Sequence, residues 1–356
     1  MRVSERLQLG KLATPLPDRE RPIYRWFQIK ESFSSGLVKL LAETWGLGEG
    51  DIVLDPFCGA GTTLLACKEL GLDCMGFDVY PLFLLASRAK IRDYDVGDLK
   101  TEISKILGSE PEEADVQVPP FVARVFPPRV LYELDFFRGK VLEVKDEKAR
   151  EFLLLGLLNA AMDSSWARKD GAAIKVTKKS VPPLKKALER RLFGMCRDIE
   201  QAALKGSKVE AKLCDAREID AGGATAVITS PPYLAKQEYL HAYRIENWIV
   251  GLESPRPEKL VGGAGVGVSP EKYFGDMRAV IKRLHEACGN GARVCLVVSD
   301  GCFPDGPVEV CLRLSDMGEA VGFRAKQVVV VNKRQCTTPS RKKIGTTKEA
   351  LLIWEK

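Results

Sequence analysis

The sequence predicts a doubly wound α/β fold with a mostly parallel sheet, and three observations carry that reading. Short apolar runs alternate with helical patterns from residue 51 to 91 and again from 209 to 354. The first run, Asp51-Ile-Val-Leu-Asp55, ends in a glycine-rich turn, Pro56-Phe-Cys-Gly59-Ala-Gly61-Thr62-Thr63, that opens a helix. The second, Asp73 to Phe77, ends in Asp78, 23 positions after Asp55, where an acid can accept hydrogen bonds from ribose hydroxyls. Glycines let backbone approach a ligand closely and the helix N-terminus faces it. With both acids so placed, a nucleoside-bearing ligand is expected.

Residues 1–30 read as an irregular arm, because Pro15, Pro17 and Pro22 break any helix, with Trp26 and Phe27 docking it. A helix is predicted from Ser34 to Trp45, with Leu37, Leu40, Leu41 and Trp45 at helical spacing and Gly46 as its stop. The helix after the glycine turn runs through Leu70, and Leu82 to Ile91 completes a β-α-β-α start. Alternation then ceases. Residues 96–207 hold an acidic stretch (Glu110, Glu112, Glu113, Asp115), prolines up to Pro128, and helical patterns at Ala149–Trp166 and Leu184–Leu204. They read as a largely helical insertion, either a substrate-recognition subdomain or a structural cap, between two parts of one domain at 31–95 and 208–356. Alternation resumes with Val209–Cys214, followed by Asp215, and with Ala224–Ile228. After a helical stretch at Glu238–Val250 rich in aromatics (Tyr239, Tyr243, Trp248) comes a loop at 254–269 with Gly262, Gly263, Gly265 and Gly267, long enough to act as a lid. A helix Pro270–Cys288, a strand Ala292–Ser299, a helix Pro307–Val321 and strands Arg324–Asn332 and Glu349–Trp354 finish the chain.

Between Ile228 and the aromatic stretch lies Thr229-Ser230-Pro231-Pro232-Tyr233. Two consecutive prolines fix φ twice and remove two donors, and Ser230, preceding a proline, is pushed toward an extended conformation. What remains is a hydroxyl, carbonyls that face no competing N–H, and one aromatic ring. That suits a flat group carrying an exocyclic NH₂; the bland alternative is an ordinary Pro-Pro turn after a strand.

The 356 residues are 45% hydrophobic and 29% charged, with net charge +6 and pI near 8.7. From Arg168 to Arg191 there are nine basic residues against Asp170 and Glu189, and from Arg324 to Thr347 seven and no acid. Such segments fit a phosphate backbone, though solvated faces look alike. Ten cysteines without a Cys-x-x-Cys pair, and two histidines (His241, His285), disfavour zinc. No run reaches membrane-spanning length and the first residues are not a signal peptide, so a cytoplasmic protein is expected. Four Asn and seven Gln give a thermophile-like composition, with which a disulfide is compatible.

Taken together, Asp55-Pro-Phe-Cys-Gly-Ala-Gly-Thr-Thr63 and Thr229-Ser-Pro-Pro-Tyr233 resemble the cofactor loop and catalytic loop of the S-adenosylmethionine-dependent amino-methyltransferases. The resemblance covers residues 30–95 and 208–354 and implies a seven-stranded class I methyltransferase sheet. The serine form of the catalytic loop is associated in that family with N4 of cytosine; Asn or Asp at position 230 would point to adenine N6, guanine N2 or a glutamine side chain. Carried over one position at a time, the resemblance places Phe33 in the segment covering S-adenosylmethionine, and Asp55, Pro56, Gly59, Gly61 and Thr62 around its methionine part. Asp78 falls at the ribose and Asp215 at the adenine, a helix cap being the alternative for Asp215. Ser230 and the Pro231 carbonyl would accept the two amino hydrogens in the rigid corner that Pro232 completes, and Tyr233 would stack on an extruded base. The chain contains no Pro-Cys pair, which argues against methylation at carbon 5. Lys178, Lys179, Lys185, Lys186, Lys333, Arg334, Arg341, Lys342 and Lys343 are candidates for phosphate contacts. The expected partner is nucleic acid, with RNA narrowly preferred to DNA because a basic helical insertion can dock on structured RNA. A non-catalytic RNA-binding assembly factor and a protein-glutamine methyltransferase are the remoter readings.

Overall fold

The computed structural model describes residues 2–170, 173–234, 239–263, 269–337 and 342–356. In chain order its elements are β1 (Arg2–Glu5), α1 (Ser35–Trp45), β2 (Ile52–Asp55), α2 (Thr62–Leu70), β3 (Asp73–Asp78), α3 (Pro81–Ile91), α4 (Val96–Leu107), α5 (Pro120–Ala123), α6 (Pro128–Leu142) and α7 (Glu147–Asp163). The hairpin β4 (Ala167–Asp170) and β5 (Ala173–Val176) precedes α8 (Leu184–Gln201), β6 (Val209–Leu213), β7 (Ala224–Thr229), α9 (Tyr239–Ala242), α10 (Arg244–Val250) and α11 (Pro270–Ala287). Then follow β8 (Cys288–Ser299), β9 (Gly301–Phe303), β10 (Gly306–Val308), α12 (Val310–Val321), β11 (Arg324–Thr337) and β12 (Lys343–Glu355).

One sheet runs β1-β11-β12-β8-β7-β2-β3-β6. β2 pairs in parallel with β3 and β7, β3 with β6, and β7 with β8, whereas β12 is antiparallel to both β8 and β11. Strand order therefore reverses between β2 and β7, and such a reversal opens a crevice at the strands' carboxyl ends. This is the class I methyltransferase fold that the resemblance implies, with one correction. The sheet has eight strands rather than seven, because Arg2–Glu5, in the arm read as irregular, lies parallel to β11 with Arg2 opposite Gln327. Four mostly exposed residues at a sheet edge carry no alternation that a sequence could display.

Successive strand residues point to opposite faces, and the core divides accordingly. Val53, Cys74, Ala226, Ile228 and Val297 share one cluster with Leu37 and Leu41 of α1 and Leu64 and Cys67 of α2. Leu54, Phe77, Val227, Leu296 and Val298 share another with Met277, Ile281 and Leu284 of α11 and Leu314 of α12. Gly76 of β3 lets α2 and the glycine turn come close, since a Cβ there would lie 2.8 Å from Leu64 and 2.9 Å from Cys58.

The elements of segment 96–207 are helices apart from the β4–β5 hairpin, joined by irregular stretches such as 110–119 and 177–183. Its core is continuous with the arm and with α3: Leu155 and Leu158 of α7 and Leu188 and Leu192 of α8 cluster with Leu85, Ala89, Trp26 and Phe27. Asp198 of α8, 2% exposed, accepts hydrogen bonds from Arg25 (2.5 and 2.9 Å) and Trp26 Nε1 (2.9 Å), and stands 3.5 Å from the Ile23 amide. Ile23 has φ +65°, a strained conformation for a β-branched residue, and this carboxylate lies against its amide.

Several boundaries differ from the sequence reading, β8 among them, which begins at Cys288 rather than Ala292. α12 begins at Val310 instead of Pro307, because Gly306–Val308 turns back against β9 and buried Asp300 accepts the Val310 N–H at 3.0 Å. The stretch at 238–250 breaks at Tyr243 into α9 and α10. β11 and β12 extend well past their apolar centres, and a Cys302–Cys336 disulfide ties their tip to β9. Gly265 and Gly267 of the glycine loop lie outside the described residues, as does Glu238. Among the described residues no helix is long and apolar enough to cross a membrane.

Candidate active site

A cleft open to solvent lies at the carboxyl ends of β2, β3, β6 and β7. Each strand contributes one polar residue at or just past its end: Asp55, Asp78, Asp215 and Ser230. Phe33, Pro56, Gly59, Thr62 and Pro232 also line it. Gly61, Pro231 and Tyr233 do not. Gly61, at φ +80°, serves packing instead: a Cβ there would meet Ser87 Cβ at 2.8 Å, so α2 can lie on α3 only with glycine at this turn.

Asp55 joins the two sequence motifs. Its Oδ1 accepts the Phe57 amide at 3.1 Å and the Thr229 hydroxyl, next to Ser230, at 2.6 Å. Burial pushes the carboxyl up to about 6 against the hydrogen bonds from Thr229, Thr63 and Phe57 that favour its charge. Asp78 accepts the Gly59 amide at 2.9 Å and the Tyr80 amide at 2.8 Å, which fixes the glycine turn to the second strand. Burial raises its carboxyl to about 6 as well, with the nearby Asp55 charge adding to the rise. Neither carboxylate makes an ion pair among the described residues.

The arm closes one side through a lysine that the sequence reading passed over. Lys90, 3% exposed on the inner face of α3, donates to the Phe27 carbonyl at 2.5 Å and to the Ala60 carbonyl at 2.8 Å. It thus fastens the arm to the glycine turn, and burial drives its ammonium down to about 7. Beyond Phe27, Ile29, Ser32 and Phe33 reach the cleft.

Asp215 is placed at the cleft but is not a helix cap, because a turn and no helix follows it. Arg217 holds both its oxygens, at 2.9 and 2.6 Å, and extends to Asp276 at 2.8 Å. These partners raise the Arg217 guanidinium above its ordinary value.

At the diproline corner Ser230 Oγ donates to the Val297 carbonyl at 3.2 Å. Tyr233 is 8% exposed and donates its phenol proton to Glu349 Oε1 at 2.9 Å, so its ring stands in the wall behind the cleft where base stacking had been expected of it. Two other tyrosines line the cleft, Tyr80 and Tyr239, the latter in edge contact with Phe83 at 6.0 Å between centroids and alongside Tyr243. Trp248 faces away, against Phe126 and Arg138. Sequence reading missed Lys90, Arg217 and Glu349: Lys90 and Glu349 merely adjoin apolar residues of α3 and β12, and Arg217 follows Asp215 within the turn.

The basic residues separate into two kinds. On β4, Lys169 covers the Tyr243 ring at 3.8 Å and pairs with Glu246, and just past β5 Lys178 covers the Trp166 ring at 5.3 Å. That hairpin therefore flanks the aromatic side of the cleft. Lys179 and Lys186 are exposed. Lys185 is engaged by Glu110 and Ser109, Arg190 and Arg191 by Asp163, Lys333 by Glu5, and Arg334 approaches Glu349 at 3.8 Å. Lys342 and Lys343 are exposed beside the β11–β12 tip, and Arg341 lies outside the described residues.

The cleft offers two carboxylates without cationic partners among the described residues, a turn of close-approach backbone, and apolar walls from Phe57, Tyr80, Phe83, Leu260 and Val261. That set fits a cationic nucleoside, as S-adenosylmethionine is. A family model described as DNA methylase, for N6 and N4 methyltransferases, matches residues 35–87, from α1 to within α3. The type II methyltransferase M.BsoBI of Geobacillus stearothermophilus is 26% identical over 292 residues, covering 70% of this chain and 57% of its own length. M.AvaI of Nostoc sp. is 21% identical over 458 residues, covering all of this chain and 91% of its own. A tRNA (guanine(10)-N2)-dimethyltransferase of Methanothermobacter thermautotrophicus is 27% identical over 107 residues, 29% of this chain and 32% of its own. The long matches are thus to type II methyltransferases, and the preference for RNA finds no support in them. By these matches the chain is similar to the N4/N6 DNA methylases, and S-adenosylmethionine is the cofactor that they and the fold imply.

Proposed function

We propose that the chain methylates the exocyclic N4 amino group of cytosine in DNA. The observation that carries this reading is the hydrogen bond from Thr229 to Asp55, which holds the serine-diproline corner and the acidic glycine-turn cleft as two walls of one site. Asp55, Asp78 and the Gly59 turn would hold the cofactor's charged and ribose parts, with Phe33 and the arm beside them and Asp215 toward its base. S-adenosylmethionine, when bound, supplies an electrophilic methyl group.

The chain's own residues must make a poor nucleophile attack. The N4 lone pair of cytosine is delocalised into the ring. Ser230 Oγ and the Pro231 carbonyl, each accepting one amino hydrogen, favour a pyramidal nitrogen whose lone pair is available. Because the Ser230 proton goes to Val297, its oxygen meets the substrate with lone pairs. The rigid corner holds that geometry in advance, and positioning supplies much of the rate. Tyr239 at the cleft is the ring best placed to stack on an extruded base, a contact worth about 1–3 kcal/mol. The β4–β5 hairpin, with the rest of 96–207, is the segment that would read the duplex, and Lys178, Lys179 and Lys186 are its phosphate contacts.

The choice of N4 rests on the serine at position 230, and the choice of DNA on the type II relatives. Incubation of unmethylated genomic DNA, and separately of rRNA, with labelled cofactor, followed by nucleoside mass spectrometry, tests both. N4-methylcytosine in DNA is expected. N6-methyladenine would overturn the base assignment, and label confined to RNA would overturn the polymer.

A further inference from the structure

Two residues outside the cleft, Arg217 and Asp276, join one of its acids to one of its apolar walls. Arg217 holds the Asp215 carboxylate through Nε and Nη2, at 2.9 and 2.6 Å, and Nη2 also donates to the Glu258 carbonyl at 2.8 Å. Its Nη1 donates to Asp276 Oδ1 at 2.8 Å, and Asp276 Oδ2 accepts the Gly262 amide at 2.8 Å. Glu258 and Gly262 bracket Lys259, Leu260 and Val261, which line the cleft together with Asp215. Leu260 and Val261 are 6% and 3% exposed, so the bracketed segment is a wall of the cleft rather than a loop over open surface.

The cluster is built to connect rather than to bind an ion of its own. Lys272 donates to Asp276 Oδ2 at 2.9 Å, so the charges of Asp215 and Asp276 are balanced by Arg217 and Lys272. A planar guanidinium that meets a carboxylate along two bonds fixes its orientation, here that of Asp215. The same guanidinium fixes the wall, directly at Glu258 and through Asp276 at Gly262. A further polar link across this gap, Lys259 to Glu218 at 3.4 Å, joins two exposed side chains and contributes little. A ligand that settles on Asp215 is thereby linked to the wall, and the linkage runs both ways.

We propose that Arg217 and Asp276 are positioning residues that hold segment 258–262 against bound S-adenosylmethionine, so that the grip of Asp215 on the cofactor's base and its cover by Leu260 and Val261 act as one. The inference rests on the reading that this cleft takes the methyl donor with Asp215 toward its base. Asp276 does not itself line the cleft, yet in Asp276→Ala the Kd for S-adenosylmethionine, measured on the full chain without DNA, should rise about tenfold. Arg217→Lys, whose ammonium cannot bridge Asp215, Glu258 and Asp276 at once, should weaken binding at least as much. Adding Asp276→Ala to it should then change Kd by less than about twofold. Leu260→Ala should weaken binding in the wild type and add less than about twofold in the Asp276→Ala background, where the wall is already loose. A merely structural role predicts losses that multiply and a fall in Tm that tracks them. An unchanged Kd in Asp276→Ala, or multiplying losses, overturns the proposal. Asp276→Asn, which keeps the shape with one acceptor oxygen, repeats the measurement if the alanine variant unfolds.

Amide hydrogen exchange reads the same coupling without any turnover. S-adenosylmethionine should slow exchange across 258–262 in the wild type and not in Asp276→Ala. Equal slowing in both, or none in the wild type, refutes the coupling whatever the protein methylates. A wild type that shows the slowing and the non-multiplying losses, but leaves DNA unmethylated, would instead fault the proposed function alone.

Discussion

Thr229→Val tests the link between the cofactor cleft and the catalytic corner. Thr229 and Asp55 are both fully buried, so the substitution conserves shape while deleting the hydroxyl that donates to Asp55 at 2.6 Å. The Asp55 carboxyl stands at about 6 in the folded chain against about 3.9 for an unperturbed aspartate. A folded value above the unfolded one means that the native state holds the proton more tightly, so this group's contribution to stability declines as pH rises from about 4 to 6. The decline amounts to about 3 kcal/mol, at about 1.4 kcal/mol for each pH unit between the two values. Losing a hydrogen bond to a charged group costs about 1.5–3 kcal/mol, and to a neutral one about 0.5–1.5 kcal/mol. Thr229→Val should therefore destabilise the protein by about 1.5–3 kcal/mol at pH 8 but only about 0.5–1.5 kcal/mol at pH 5, where Asp55 is protonated. Urea unfolding at the two pH values, with unchanged m, measures both numbers. An equal loss at pH 5 and pH 8, or none at either, would show that Thr229 does not support the Asp55 charge.

The remaining predictions address other parts of the molecule. Asp78→Asn should weaken S-adenosylmethionine binding about tenfold or more, since it removes a charge and loosens the Gly59 turn; calorimetry that finds the same Kd refutes the ribose assignment. For the wild type, cofactor affinity should fall as pH drops through about 6, where Asp55 and Asp78 lose the charges that attract a cation. Lys90 sits at about 7 when folded, below its unfolded value, so it makes stability rise with pH above 7, and Lys90→Met should abolish that slope while speeding cofactor exchange. Cys302→Ser, which opens a link spanning 34 positions, should cost about 3–4 kcal/mol by chain entropy, and the reductant-induced drop in Tm should vanish in the variant. Alanine at Lys178, Lys179 and Lys186 should flatten the salt dependence of DNA binding by about 0.9 for each phosphate no longer neutralised; an unchanged slope removes these lysines from the interface.

The parts of the fold legible in the sequence are those where the strand period and the glycine turn coincide. Asp55, Gly59 and Asp78 sit at strand ends that apolar runs mark, and both runs meet the cleft where strand order reverses. β1 escaped notice because an exposed edge strand has no inward face to pattern. Helices α4 and α6 lie where acids and prolines obscure the helical period, and the polar ends of β11 and β12 pair outside any apolar core. Lys90, Arg217 and Glu349 were out of reach for a different reason. Each acts on a residue far along the chain or around a turn, and no local spacing tells which carbonyl or carboxylate a buried charge will find. Tyr233 shows the opposite hazard: its motif was evident, yet where its ring points depends on an acid more than a hundred positions away.

If segment 96–207 reads the target as proposed, the grip of Asp198 on the arm constrains any exchange of that segment between relatives. Arg25, Trp26 and Ile23 are tethered by a carboxylate that belongs to the segment being swapped, and a few residues on the same arm reaches the cleft at Ile29 and Phe33. A transplanted segment lacking an acid at that place would release the cover over the cofactor. A chimera would then lose affinity for the methyl donor before its choice of DNA sequence could be measured, so the arm and the segment have to travel as a pair.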